Sequence, residues 1–179
     1  MSAPTESTPL PPVSSETIPA PKVDKVPPDR YNTEDNTAAE VAAWDIDVRP
    51  DFKGLPPGSG SVAQGQDLWE AKCASCHGVF GESNEVFSPL VGGTTAADVA
   101  SGRVARLLDP SFPGRTTLMK VPTISTLWDY IRRAMPWSQP KSLSPDEVYA
   151  VTAYLLNLGG IVPDNFTLTD RNIADVQKR

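Results

Sequence analysis

The stretch Cys73-Ala74-Ser75-Cys76-His77 constrains this chain more than any other. Two thiols one helical turn apart are followed at once by an imidazole. That spacing, Cys-x-x-Cys-His, lets two cysteines form thioethers to the vinyl groups of a c-type haem while the histidine binds the iron. Cys73 and Cys76 are the only cysteines among 179 residues, and His77 is the only histidine. Rival chemistries each want something more. Structural zinc needs four ligands. A thioredoxin-like pair wants a βαβ pattern around it. A disulfide across three residues closes almost no loop.

The surrounding sequence predicts helices that suit such a group. Ser61 and Gln64 form a capping-box signature, so a helix is expected from there to about Lys72, delivering Cys73 at its end. Gly65 and Trp69 share one face of it. A glycine inside a helix costs about 1 kcal/mol relative to alanine, which a close helix crossing would explain. The crossing partner is legible as Ser144-Pro145-Asp146-Glu147, with an N-cap, a proline at the first position and a capping glutamate. Gly159 and Gly160 stop that helix. Val148, Val151, Leu155 and Leu158 give it an apolar stripe, and Tyr154 is expected to pack on Gly65. A third helix is expected over 126–134, with Leu127, Tyr130, Ile131 and Ala134 on one side. The whole reads as all-α and resembles the class I cytochrome c fold. Residues 78–123 show no sustained period and are expected to wrap the haem, with a short helix over 98–108.

The chain divides near residue 57. Eleven of nineteen prolines, ten acidic and five basic residues lie in 1–57. Proline fixes φ and lacks a donor, so this stretch is expected to be an extended, acidic, proline-rich arm. A helical turn is expected at 38–44. Trp44, Ile46, Val48, Phe52 and Leu55 then fall largely at alternating positions, as in an extended segment lying against the haem body or a partner. The expected haem domain is 58–163, followed by a C-terminal tail, 164–179. The net charge is −6, and no basic patch is interleaved with aromatics, which argues against nucleic acid. No apolar run is long enough to span a membrane. No secretory signal is read at the start; covalent haem nonetheless implies an exported precursor and the periplasm.

The second axial ligand follows by elimination. No second histidine exists, and the methionines are Met1, Met119 and Met135. Met135 follows a helix and precedes Pro136, which halts it; this favours Met135, with Met119 in the wrapping loop as the rival and an open iron as the third case. Histidine–methionine ligation suits electron transfer. The Pro89 carbonyl is a candidate acceptor for the Nδ1–H of His77. With its one histidine on iron, the chain offers no nucleophile–base pair, so no catalytic site is read in it.

The segments Trp44-Asp45-Ile46-Asp47-Val48, 54–61, Cys73-Ala74-Ser75-Cys76-His77-Gly78 and 126–162 resemble the cytochrome subunits of sulfite and sulfane dehydrogenases, nearest to the SoxD type of SoxCD. The resemblance covers about 40–163. It implies one covalent haem c on Cys73 and Cys76, with His77 and Met135 as axial ligands. It further implies a hetero-oligomer with a SoxC-like catalytic subunit carrying a molybdenum cofactor, and a downstream cytochrome c acceptor. Members of this kind commonly have two haem domains; a single motif corresponds to the first. The alternatives are a free-standing periplasmic electron carrier and a haem sensor or peroxidase with an open iron.

Overall fold

The computed structural model describes residues 45–83, 87–110 and 115–178, which fall within the compact unit Ala42–Arg179. The turn expected at 38–44, Trp44 and the proline-rich stretch before them lie outside the described residues. The elements in chain order are β1 (Ser59–Ser61), α1 (Val62–Lys72), α2 (Ala74–His77), α3 (Ala96–Ser101), a 3₁₀ turn (Ala105–Leu108), α4 (Thr117–Lys120), α5 (Ile124–Ala134), α6 (Pro145–Leu158), β2 (Thr167–Thr169) and α7 (Ile173–Val176).

The cap signals act as their chemistry dictates. Ser61 accepts the Gln64 amide at 3.2 Å, while Gln64 Oε1 accepts the Ser61 amide at 2.9 Å. At α6, Glu147 Oε2 accepts the Ser144 amide at 2.8 Å and Ser144 Oγ accepts the Glu147 amide at 3.3 Å. Each box satisfies amides that a helix start leaves without intrahelical partners. Glu147 also pairs with Lys72 at 2.9 Å, tying the end of α1 to the start of α6.

Helices α1 and α6 cross at glycine. A Cβ on Gly65 would overlap the Ala150 carbonyl and press on Tyr154 Cβ, and one on Gly60 would overlap the Ala150 backbone from the other side. The expected glycine seat is thus real, and Ala150 occupies it twice over. Around the crossing, Trp69, Trp128, Tyr149, Val148, Ala153 and Leu156 are almost completely buried. The third helix begins two residues earlier than expected, because the Thr123 side chain accepts the Thr126 amide and caps it. Its buried face carries Leu127, Trp128 and Ile131, whereas Tyr130, expected on the same side as Leu127, is exposed.

The boundaries at both ends differ from expectation. Residues 45–57, assigned to the arm, are packed on the body as a strap: Val48 is 6 % exposed and Phe52 and Leu55 lie against the core. The Tyr149 hydroxyl donates to Pro56 O at 2.8 Å. The stretch 164–179, expected as a tail, is structural. Its β2 pairs antiparallel with β1, Leu168 opposite Gly60, and Leu168, Ile173 and Val176 are buried. Asn172 closes this hook, accepting the Thr169 amide and donating to Thr167 O. A two-stranded sheet therefore joins a fold otherwise made of helices. The missed signal was the apolar series Phe166, Leu168, Ile173 and Val176, too short and irregular for either period to register.

The expected helix over 98–108 is broken. α3 ends at Gly102, whose φ of 64° is left-handed, and the 3₁₀ turn follows. Asp98 accepts the Thr95 amide at 2.8 Å and the Ala105 amide at 2.9 Å, joining the two pieces.

Candidate functional site: the Cys-x-x-Cys-His turn

α1 breaks at Cys73, and the chain immediately begins a second single turn, α2. The Cys73 amide still bonds to Trp69 O at 2.8 Å, while the Cys73 carbonyl accepts from both Cys76 and His77 at 3.1 and 3.0 Å. This tight turn keeps the two thiols and the imidazole together on one short element. Neither cysteine is in a disulfide; Cys73 packs partly against the core and Cys76 is exposed. Burial, opposed in part by the Lys72 charge, pushes the Cys73 thiol up to about 11.

The segment leaving the motif is held by the helix crossing. Trp69 Nε1 donates to Gly78 O at 2.9 Å, and the Tyr154 hydroxyl donates to Val79 O at 3.2 Å. Trp69 and Tyr154 also touch each other, ring centroids 5.9 Å apart. Gly78 needs its φ of 76°, and a Cβ there would overlap the Glu82 carboxylate. The Ser83 amide then returns to His77 O at 2.7 Å.

His77 sits beside two aromatic rings, Trp69 at 5.8 Å and Phe87 at 5.7 Å. Burial pushes its pKa below the ordinary value, favouring the neutral imidazole, the form that binds metal. Its Nδ1 is buried with no hydrogen-bond partner. The expected bond from Nδ1 to Pro89 O is not formed. That carbonyl accepts the Thr117 amide at 3.0 Å, one of the first amides of α4, which have no intrahelical acceptor.

The wrapping stretch is better ordered than its sequence suggests. Leu90 donates to Gly81 O and Leu118 to Leu90 O, at 2.8 and 3.0 Å, while Thr116 Oγ1 donates to Gly92 O at 3.2 Å. Met119 lies on α4 within this lacing. Met135 caps the end of α5 on a separate element, partly buried against the core.

These residues fit a covalently held haem. Two free thiols stand one turn apart, a neutral imidazole follows, and large apolar side chains remain in water next to the candidate ligands. Val79 and Phe80 follow His77, and Trp137, 77 % exposed, follows Met135. A flat apolar macrocycle would cover such surface. Among the described residues no cluster of three or more His, Cys, Asp or Glu offers a separate metal site.

The protein-family model described as cytochrome c oxidase, cbb3-type, subunit III matches residues 60–155. No curated protein gives a match. Among solved structures, the crystal structure of the sulfane dehydrogenase SoxCD from Paracoccus pantotrophus is similar, with a TM-score of 0.66 and 39 % identity. The similarity covers 78 % of this chain and 64 % of that one, so this chain spans under two thirds of its relative's length. The matched region holds the crossing of α1 and α6, the thiol pair and the histidine, and the chain belongs to this cbb3-type family as a helical cytochrome c domain.

Proposed function

We propose that this chain is the monohaem electron-transfer subunit of a molybdenum-containing sulfur dehydrogenase of the sulfane or sulfite type, of the SoxD kind. Cys73 and Cys76 would carry the haem, and His77 and Met135 would hold its iron. Haem c, when bound, supplies one-electron exchange between ferric and ferrous iron. The chain's own residues do the rest. Trp69 and Tyr154 fix the turn that bears His77, and burial keeps that imidazole neutral. Its electron donor is a catalytic subunit holding the molybdenum cofactor, its acceptor another cytochrome c, and its compartment the periplasm.

The observation that carries this reading is the pairing of the Cys-x-x-Cys-His turn with 39 % identity to a SoxCD chain over most of this sequence. The lacing of the wrapping stretch supports Met135 over Met119. α4 is bonded to 89–90, which is bonded to Gly81 in the turn leaving His77. Met119 thus belongs with the histidine side, whereas Met135 arrives on an independent helix. Purifying the tagged chain from its native source, with metal analysis, tests the proposal. A molybdenum protein should co-purify in stoichiometric amount. Recovery of the haem protein alone, without molybdenum, would instead make it a free-standing carrier.

A further inference from the structure

The strap at 46–48 is bonded to the second half of α5, the half that leads to Met135. Asp129 Oδ1 accepts the Val48 amide at 3.0 Å, and the same carboxylate binds Arg133 Nε at 3.0 Å. Arg133 reaches on to Asp47 at 3.5 Å, and Arg132 donates to Ile46 O at 3.4 Å. Three consecutive strap residues thus meet the last two turns of α5. Val48 is buried in the core, which fixes the strap end of these ties.

Met135 packs partly against the core, but its main chain has few ties. Its amide makes the last helical bond, to Ile131 O at 3.1 Å; its own backbone is extended, and Pro136 has no amide to donate. Helix ends loosen where their polar groups lack partners. A thioether is a neutral ligand with no charge to hold it on iron, so its occupancy depends on where the helix end places it.

We propose that Asp129 and Arg133 are positioning residues for the distal ligand, with the strap as the brace that keeps the last turn of α5 aimed. This rests on the reading of Met135 as that ligand. The brace works through geometry. Asp129 accepts a strap amide while steadying Arg133 on the same helix for Asp47, and the helix end cannot shift without breaking these two ties to the strap.

The test uses the full-length haem protein. Two quantities are read, the thioether-to-ferric-iron charge-transfer band and the affinity of the ferrous form for carbon monoxide. Asp129→Ala should weaken the band and raise carbon monoxide affinity about tenfold, equivalent to about 1.4 kcal/mol of lost closure. Arg133→Ala should act in the same direction. Asp129→Asn keeps an oxygen for the Val48 amide and should lie between. Lys72→Ala, which breaks an ion pair away from α5, should lower stability to denaturant while leaving both readouts alone. Wild-type band and affinity in Asp129→Ala and Arg133→Ala, with the band lost in Met135→Ala, would overturn the brace alone. A band that survives in Met135→Ala would overturn the ligand assignment and the brace with it.

Discussion

Gly65 of α1 lies directly on the main-chain carbonyl of Ala150 in α6, so close that one added carbon would overlap it. The contact sets the distance between the two helices that frame the haem turn. It also places Trp69 and Tyr154 side by side, from where each holds a carbonyl just beyond His77.

Gly65→Ala should therefore destabilise the protein even though alanine is the better helix former. The propensity gain is about 1 kcal/mol. The overlap is with backbone, which cannot rotate away, and overpacking of this kind costs about 1–3 kcal/mol. A net loss of up to about 2 kcal/mol is expected, seen as a lower urea midpoint with an unchanged slope.

Haem should stay with the polypeptide on a denaturing gel, and acid–acetone should not extract it. Cys76→Ala and Cys73→Ala should each lower the yield of mature protein. Complete extraction of haem from the unaltered chain would defeat the thioether assignment.

The distal assignment predicts opposite results at two methionines. Met135→Ala should leave a high-spin component, and Met135→His should lower the reduction potential, because imidazole favours ferric iron more than thioether does. Met119→Ala should change neither. Loss of the thioether signature in Met119→Ala, with an unaltered Met135→Ala spectrum, would reverse the roles.

Truncation distinguishes strap from arm. Deleting 1–44 should leave the haem spectrum and stability near native while weakening association with the proposed catalytic subunit. Deleting 1–57 also strips Val48, Phe52 and Leu55 from the core, at about 1.5–3 kcal/mol for each side chain fully buried. Equal melting temperatures for the two truncations would show that the strap contributes nothing.

Acid should weaken the start of α6 through Glu147. Hydrogen bonding from the Ser144 amide, then from Lys72, holds its carboxyl below the ordinary value of 4.5. Its stabilising contribution is therefore fully present above that ordinary value and is lost as pH falls through the lower folded value. Glu147→Gln should reduce stability at neutral pH and flatten the dependence on pH below 4.5. Parallel stability curves for variant and parent across that range would contradict this.

Local chemistry explains what the sequence disclosed by itself. Cap boxes at Ser61 and Ser144 are short-range hydrogen-bond patterns, so their helices were legible, as was the glycine seat at Gly65. The Cys-x-x-Cys-His turn was legible as a motif too, since five consecutive residues carry it. Tertiary structure decided the rest. Whether Val48 and Phe52 lay on this body or elsewhere was open until Asp129 and the arginines of α5 met the strap, about eighty residues away in sequence. The C-terminal hook became structure because Leu168 found the Gly60 strand, a pairing with no local signal. Pro89 O accepts the Thr117 amide at the start of a helix, a bond with no local signal, and His77 Nδ1 does not reach a partner. A sequence declares bonds between near neighbours; bonds between distant residues depend on which partners the packed fold brings together.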